Sequence, residues 1–208
     1  MGKIKNQRVV FTIGHSTQSL ENFVSIIKGL SIGWVVDIRT IPRSRHNPQF
    51  NKETLPSSLQ LLGINYSHMQ GLGGLRRAKA DSINKGWRNA TFRGYADYMQ
   101  TEEFAKNLQV LTTLATKVPV VIMCAEVLPW RCHRWLVADA LTLRGFEATH
   151  IMGKNQLRKH ALTPFAKVEG TKITYPQPVD NEMPLHSSIM TKTEQTNLRK
   201  ASPLSAGA

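Results

Sequence analysis

Short apolar runs alternate with helical segments over most of the chain, and this order constrains the fold more than any other feature. Runs rich in valine and isoleucine predict strands at 9–14, 34–38, 64–69, 118–124 and 146–152. The segments between them predict helices at 20–28, 52–62, 95–116 and 129–143. A break near Thr101 would divide the third of these helices.

Alternation of strands and helices predicts a parallel sheet that is covered by helices and connected by right-handed crossovers. Residues 120–123 are apolar throughout, as expected for a strand that is buried on both faces. We therefore predict an α/β fold. It would be a single three-layer domain with a mostly parallel sheet of about five strands and a rhodanese- or Rossmann-like architecture.

The composition changes near the end of the chain. The predicted domain covers 1–178, and its last part carries the segment VEGTKITY, which predicts a small hairpin or edge strand. Residues 179–208 are rich in proline, serine, threonine, asparagine and lysine and contain few large apolar residues. This composition predicts a polar, disordered tail.

The charge of the chain points to an anionic partner. Lysine and arginine number 27 against 14 acidic residues, which gives a net charge of +13. Such an excess favours nucleic acid, a nucleotide or another phosphorylated compound, although solvated surface charges alone would produce the same count.

No apolar run is long enough to span a membrane, and the first residues lack the apolar core of a signal peptide. The two cysteines do not form a disulfide framework. We therefore predict a cytoplasmic protein without a membrane partner and with reduced thiols. The sequence names no cofactor and no oligomeric state.

Reactive and charged residues follow every predicted strand. In chain order they are Gly14, His15 and Ser16, then Asp37 and Arg39, then His68, then Cys124 and Glu126, and finally His150. Ligands of open parallel sheets bind at the carboxyl ends of the strands. The sequence therefore predicts a site at this edge, although each residue taken alone could be structural.

The first two groups predict anion binding. Gly14 and Ser16 would place backbone amides near the start of a helix, with His15 as an acid, a base or a phosphate contact. No GK[ST] follows, so this is not a P-loop. Asp37 and Arg39 would point to the same side of a strand, where they could form an ion pair or orient a ligand.

Arginines near these groups are further ligand-binding candidates. Arg39, Arg43 and Arg45 lie within seven residues around a proline and could hold a phosphate, and Arg134 lies beside the second cysteine. The alternative is a solvated basic loop.

The stretch VVIMCAEVLPWRCHR holds both thiols, Cys124 and Cys132. We expect Cys132 in the first turns of a helix that starts at Pro129. There the helix N-terminus, His133 and nearby arginines would lower a thiol pKa. The catalytic candidates are therefore Cys124, His15, Glu126 and His133. Arg131 follows Cys124 by seven residues, so the C-x5-R spacing of cysteine phosphatases is not met.

Two alternatives stay open for this stretch. Cys124, Cys132 and His133 could bind a metal ion, with Glu126 or His15 as a fourth ligand, although C-x7-C-H is not a usual zinc spacing. Cys132 could instead belong to the apolar stripe of the helix.

Residues 71–95 interleave glycine and basic residues with aromatic ones, namely Trp87, Phe92 and Tyr95. The mixture suits backbone binding and base stacking on nucleic acid, and it equally suits a lid over a site.

Four blocks carry a family resemblance: FTIGHSTQSLENF, VVDIRTIPRSRHNPQFN, GWRNATFRGYADYM, and VVIMCAEVLPWRCHRWLVADAL followed by HI. Together they resemble the DUF488 family, a family of uncharacterised α/β proteins, over residues 9–175. The resemblance implies an α/β domain without an established reaction. It marks Gly14, His15, Ser16, Asp37, Arg39, Pro42, Arg43, Cys124, Glu126, Cys132, His133 and Arg134. A weaker likeness to rhodanese-like domains makes sulfur transfer an analogy only.

Three functional hypotheses follow from the sequence. The first is an enzyme that acts on a nucleotide or nucleic-acid-derived phosphate ligand through a cysteine, histidine, glutamate and arginine cluster. The second is a non-catalytic nucleic-acid-binding protein. The third is a metal-dependent enzyme with cysteine and histidine ligands.

Overall fold

The computed structural model describes residues 8–177. The strands in this part of the chain are β1 (Arg8–Gly14), β2 (Trp34–Asp37), β3 (Asn65–His68), β4 (Val120–Cys124), β5 (Phe146–Gly153), β6 (Gln156–Lys159), β7 (Lys167–Glu169) and β8 (Lys172–Thr174). The α-helices are α1 (Leu20–Gly29), α2 (Leu55–Gln60), α3 (Ala90–Tyr98), α4 (Glu102–Ala115) and α5 (Arg134–Thr142). Short 3-10 turns lie at Pro48–Phe50, Gln70–Leu72 and Pro129–Arg131.

The first six strands form one sheet in the order β3–β2–β4–β1–β5–β6. All neighbours are parallel except β5 and β6, which pair antiparallel. Strand β4 lies between β1 and β2, and the register places Gly14 opposite Cys124 and Asp37 opposite Met123. The carboxyl ends of β1, β2 and β4 therefore lie side by side.

Helices cover both faces of the sheet because the central strands are apolar on both sides. Val120 and Ile122 of β4 pack in a core with residues of α3, α4 and α5. Val121 and Met123 point the other way, into a core with residues of α1 and α2. The prediction of a three-layer α/β domain with a mostly parallel sheet is confirmed.

Polar caps set the helix boundaries. The hydroxyl of Ser19 accepts a hydrogen bond from the Asn22 amide, 3.2 Å away, at the start of α1. Thr101 accepts from the Phe104 amide at 3.2 Å and thereby starts α4. The predicted break near Thr101 therefore separates α3 from α4, although α3 begins at Ala90, before the predicted start.

The predicted helix at 129–143 is not continuous. A 3-10 turn covers Pro129–Arg131, Cys132 is extended with φ −128° and ψ 145°, and α5 begins only at Arg134. The prediction that Cys132 lies within the first helical turns is wrong: it lies in the link before α5. Pro129 favours a turn start, but the chain must straighten at Cys132 before α5 can begin.

The last described residues add an antiparallel edge strand, β6, and the hairpin β7–β8, which was predicted for VEGTKITY. The predicted tail at 179–208 lies outside the described residues. No helix within 8–177 is both long and apolar enough to cross a membrane. The cytoplasmic location stays a prediction.

Candidate functional site

Cys124 is the last residue of the central strand β4, and the segments that follow β1 and β2 are hydrogen-bonded to the end of this strand. The His15 amide donates to the Cys124 carbonyl at 2.9 Å, and the Ser16 amide donates to the Ala125 carbonyl at 3.0 Å. The Ile38 amide donates to the Met123 carbonyl at 3.0 Å. The parallel ladders thus continue past the strand ends and fix the start of three loops around one thiol.

Gly14 permits the close approach of the loop that follows Cys124. A Cβ atom at this position would overlap the backbone carbonyl of Glu126 and also crowd Val127. The glycine is therefore a packing requirement of the site. Gly14 and Ser16 line a separate cavity of about 340 Å³, together with Val127 and Lys154.

Arg134 holds the same loop from inside the protein. Its side chain is 1% exposed, and its terminal nitrogens donate to the carbonyls of Glu126 and, at 2.6 Å, Val127. Its Nε atom is buried, and no residue in the described part of the chain accepts a hydrogen bond from it. Among residues 8–177, no carboxylate forms a salt bridge with this guanidinium. A buried positive charge therefore lies behind the thiols with only neutral carbonyls as partners.

Cys132 and His133 approach Cys124 from the link before α5. The side-chain ligand atoms of the three residues all lie within 4.8 Å of one another, and both thiols are free. The Cys132 sulfur lies 3.6 Å from His133 Nδ1. His133 Nε2 lies 3.0 Å from the Ile38 carbonyl, which can only accept, so Nε2 carries a proton and donates. Nδ1 then faces the thiols, where it can accept from a thiol as the neutral imidazole or donate to a thiolate as the imidazolium.

The surroundings of the two thiols shift their pKa values in opposite directions. A hydrogen bond from Cys132 lowers the pKa of Cys124 well below its ordinary value, and His133 and the Arg134 charge add to this effect against the burial of the thiol. Burial and the neighbouring Cys124 raise the pKa of Cys132. The pair therefore favours a Cys124 thiolate next to a Cys132 thiol.

Asp37 and Arg39 form a buried ion pair beside this group. Both Nε and Nη2 of Arg39 donate to the Asp37 carboxylate, with a shortest distance of 2.6 Å. The Tyr66 hydroxyl also donates to Asp37, at 2.9 Å. The second Arg39 donor at Nη2 goes to the Phe50 carbonyl at 2.6 Å. The ion-pair alternative is therefore present in the structure, and a ligand-binding role for either residue stays a prediction.

Both ring nitrogens of His15 form hydrogen bonds with neighbouring residues. Its Nε2 accepts from Arg39 Nη1 at 3.0 Å, so Nδ1 carries the proton and donates to the Ser16 carbonyl at 2.8 Å. The ring is 1% exposed and stacks on Phe50 with centroids 4.3 Å apart. Burial lowers the pKa of His15, and the Arg39 charge acts in the same direction. This geometry favours a positioning role for His15 over a role in proton transfer.

A solvent-open cavity of about 330 Å³ lies over the thiols at the carboxyl edge of the sheet. It is lined by Arg39, Thr40, Ile41, Gly74, Leu75, Thr91, Phe92, Cys124, Ala125, Glu126, Arg131, Cys132 and His133. Ile41 and Leu75 are 64% and 66% exposed and form part of its rim. Cys124, Glu126, Arg39 and His133 of the predicted site therefore share one cavity.

Other predicted residues lie outside the cavity lining. Asp37 and His15 contact the lining residue Arg39, Arg134 contacts the lining residue Glu126, and Arg43 is exposed on the loop after β2. The lining includes residues that the sequence analysis did not select, above all the apolar rim and Thr91. Arg131, which the sequence placed among the charges that lower a thiol pKa but not among the ligand-binding residues, has an exposed side chain at the rim.

Comparison with known proteins gives the family. The family model described as a domain of unknown function, DUF488, matches residues 19–141. The chain belongs to the DUF488 family. No curated protein and no solved structure matches the chain. The matched range includes both thiols, His133 and Arg134, and it begins after Gly14, His15 and Ser16.

In the DUF488 domain, the side chains around the two thiols are also close enough together to bind one metal ion. Two sulfurs and one imidazole nitrogen lie together, and the remaining His133 nitrogen donates to a backbone carbonyl. Metal-binding histidines are commonly oriented by such a bond. The predicted fourth ligands differ in position: Glu126 lines the cavity, whereas both ring nitrogens of His15 are occupied.

The glycine-rich segment at 71–95 packs against the domain. Trp87 lies against Phe92, Phe165 and Tyr175, with ring centroids 4.8 to 5.5 Å apart, and Tyr95 is fully buried. Phe92 and Leu75 line the cavity, so the segment forms one of its walls. Tyr95 is therefore out of reach of a base, whereas Phe92 lies in the cavity wall. Nucleic-acid binding stays a prediction.

The DUF488 domain also contains a buried chain of hydrogen bonds. Of its members, the sequence predicted only His150 as a candidate residue. Thr12 contacts His150 at 2.7 Å, His150 contacts His160 at 3.0 Å, and His160 contacts Asp139 at 2.8 Å. Tyr175 also donates to Asp139, at 2.8 Å. The chain joins α5 to β5 and β1. No sequence spacing could reveal it, because its members lie on five separate segments.

Proposed function

We propose that the protein is an enzyme that acts on a phosphate-containing ligand and uses the Cys124 thiolate as its nucleophile. One observation above all supports this role: Cys124 lies at the floor of an open cavity, in front of a buried arginine that has no carboxylate partner within 8–177. A thiolate is the nucleophilic form of cysteine, and nearby positive charge stabilises it.

The electrostatics of Arg134 support the thiolate. A buried charge without a partner is costly, and its two hydrogen bonds go to neutral carbonyls. A negative charge on Cys124 would offset this cost. The arginine would thus act through the thiol and through the shape of the loop at Glu126, rather than by touching the ligand.

His133 and Glu126 are placed to move protons. Nδ1 of His133 faces the thiols, and Nε2 donates to the Ile38 carbonyl. The Glu126 side chain is exposed at the rim, and one of its oxygens accepts from the Leu128 amide at 3.1 Å. In this proposal His133 exchanges a proton with the leaving group or with water, and Glu126 acts at the solvent side.

An arginine would bind the phosphate of the ligand, and apolar side chains would bind the rest of it. Arg131 is exposed at the rim and is placed to attract a phosphate, while the Arg39 charge in the wall is already paired with Asp37. Ile41, Leu75 and Phe92 offer an apolar surface for the rest of the ligand. His15 and Asp37 would hold Arg39 in place.

A ligand screen tests this proposal. Nucleotides and phosphorylated metabolites are added to the full chain, and thermal unfolding is followed for each. We expect at least one compound class to raise the Tm and to be converted. Arg131→Gln should reduce the Tm increase, whereas Lys117→Gln removes the same charge from an exposed position outside the cavity lining and should leave it unchanged.

Cys124→Ser decides the role of the thiol. We expect this variant to fold, to bind the compound found in the screen and to lose turnover. Wild-type turnover in Cys124→Ser would remove Cys124 as the nucleophile.

A second candidate function is a metal-dependent enzyme. It is favoured by the ligand atoms of Cys124, Cys132 and His133, which meet below an open cavity that leaves room for a further ligand. Elemental analysis of protein purified without chelator tests it. Stoichiometric zinc that is lost in Cys132→Ala would support the metal site, and metal-free protein would remove it.

A further inference from the structure

We propose that Cys124 and Cys132 form a redox-active dithiol, in which Cys132 resolves oxidised Cys124 as an intramolecular disulfide after a hydroperoxide enters the cavity. The inference deepens the proposed function, because it uses the same reactive thiol. It adds a second reaction of the site and gives Cys132 a role that ligand turnover does not require.

The geometry of the two thiols supports this inference. Their sulfur atoms lie within 4.8 Å of each other, and both are free. A disulfide needs a separation near 2 Å, so the sulfurs must approach by at most about 3 Å. Cys132 lies in the extended link between a 3-10 turn and α5, not inside a helix, so its side chain is not confined by a helical turn.

Both thiols are accessible to a small oxidant and shielded from large ones. Each lines the open cavity, yet Cys124 is only 9% exposed and Cys132 only 4%. A hydroperoxide is small enough to reach them, whereas a thiol of another protein would have to enter past Ile41 and Leu75. The nearby second thiol therefore favours an intramolecular product.

The first step oxidises Cys124. Its thiolate attacks the terminal oxygen of the hydroperoxide, an S–O bond forms and the O–O bond breaks. The leaving alkoxide or hydroxide takes a proton from water. Cys124 becomes a neutral sulfenic acid, and the sulfur loses two electrons that reduce the peroxide.

The second step uses the charge left behind. Once Cys124 is neutral, no described carboxylate pairs with the buried Arg134 guanidinium, and a thiolate at Cys132 would supply the counter-charge. The proton of Cys132 passes to Nδ1 of His133, 3.6 Å from the sulfur, because Nε2 already donates to Ile38. Cys132 then attacks the Cys124 sulfur, an S–S bond forms and the S–O bond breaks. The departing hydroxide takes the proton from His133 and leaves as water.

The overall reaction converts two thiols and one hydroperoxide into one disulfide, one water and one alcohol, or a second water for hydrogen peroxide. A dithiol reductant returns the disulfide to two thiols and is itself oxidised. The disulfide would remove the nucleophile while it protects Cys124 from irreversible oxidation to the sulfinic acid.

Hydrogen peroxide and intact-mass spectrometry test the inference on the full chain, reduced and freed of metal with a chelator. The wild type should lose two hydrogens from its mass and lose both alkylatable thiols, and dithiothreitol should restore both. In Cys132→Ser the same treatment should instead add oxygen to Cys124, first as a sulfenic acid that dimedone traps. Cys124→Ser should leave Cys132 reduced. Circular dichroism confirms that both variants are folded.

Two results would overturn the inference. One is addition of oxygen to wild-type Cys124 at the same rate and to the same extent as in Cys132→Ser, since Cys132 would then resolve nothing. The other is full retention of both thiols. Rapid alkylation of Cys124 without a disulfide would refute this inference and leave the proposed nucleophile intact, whereas Cys124 that resists both peroxide and alkylation would refute both.

Discussion

The sulfur atoms of Cys124 and Cys132 lie within 4.8 Å of each other, yet their surroundings shift the pKa values of the two thiols in opposite directions. The pKa of Cys124 is lowered, first of all by a hydrogen bond from Cys132, and the pKa of Cys132 is raised, first of all by burial. The pair behaves as one site in which a single negative charge is shared unequally.

The hydrogen bond from Cys132 is the largest cause of the low Cys124 pKa, and its removal gives the first prediction. Cys132→Ala should raise the pKa of Cys124, because no donor then stabilises the thiolate. Cys132→Ser keeps a donor at the same place and should raise it less. The pH dependence of iodoacetamide alkylation at Cys124 measures both, and equal values in the two variants would refute the role of the donor.

The buried ion pair predicts a large loss of stability in Asp37→Asn. The substitution leaves the Arg39 charge buried without its counter-ion, which costs about 3–5 kcal/mol in the free energy of unfolding. Glu102→Gln breaks the exposed pair with Lys106 and should cost less than about 1 kcal/mol. Urea unfolding checks both, and similar losses in the two variants would argue against a structural pair at Asp37.

Gly14 and Gly29 give a matched pair of glycine substitutions. Gly14→Ala should lower the free energy of unfolding by about 1–3 kcal/mol, because its Cβ would overlap the Glu126 carbonyl. Gly29→Ala at the end of α1 meets no atom within 4 Å and should be neutral or stabilising. Urea unfolding of both variants tells them apart. A Gly14→Ala variant as stable as Gly29→Ala would show that the loop can move away.

His150 predicts a loss of stability at acid pH. Burial lowers its pKa from 6.5 to about 3. Between these values the unfolded chain binds a proton that the folded protein does not, so the free energy of unfolding falls as the pH falls. The loss approaches about 1.4 kcal/mol per pH unit. No loss from this group is expected above its ordinary pKa.

Urea unfolding at several pH values measures this slope. His150→Gln should show a shallower slope below about pH 6.5, even if it is less stable throughout. His46→Gln replaces an exposed histidine and should keep the wild-type slope. A wild-type slope in His150→Gln would mean that other groups cause the acid sensitivity.

The fold could be predicted because its signals are local. Residues 120–124 of the predicted strand are buried on both faces of the sheet, and the alternation of strands with helices predicted the parallel order. The edge strand β6 was missed because its residues, QLRK, are exposed and polar, so they carry no burial pattern.

The candidate site was predictable only in part. The carboxyl-edge rule placed Cys124, Glu126 and Arg39 at one cavity, because neighbouring parallel strands end side by side. The rule could not separate residues that reach the cavity from those that support it, such as His15. That difference depends on the side-chain contacts to Arg39 and Ser16, which a single sequence does not reveal.

Arg134 shows a second limit of the sequence. Its position beside Cys132 suggested a ligand contact, but its nitrogens point inward to the carbonyls of Glu126 and Val127. The interruption of the helix at Cys132 sets this direction. Turn geometry of this kind depends on tertiary packing, so the pattern after Pro129 could not predict it.

The reactivity of Cys124 tests the central claim most directly. The rate of iodoacetamide alkylation is measured across pH on the reduced, metal-free full chain, and peptide mass spectrometry assigns the modified thiol. We predict that Cys124 reacts first, with a midpoint well below the usual thiol pKa of about 8.5, and that Cys132 reacts much more slowly. A Cys124 midpoint at or above that value, or faster modification of Cys132, would contradict the account.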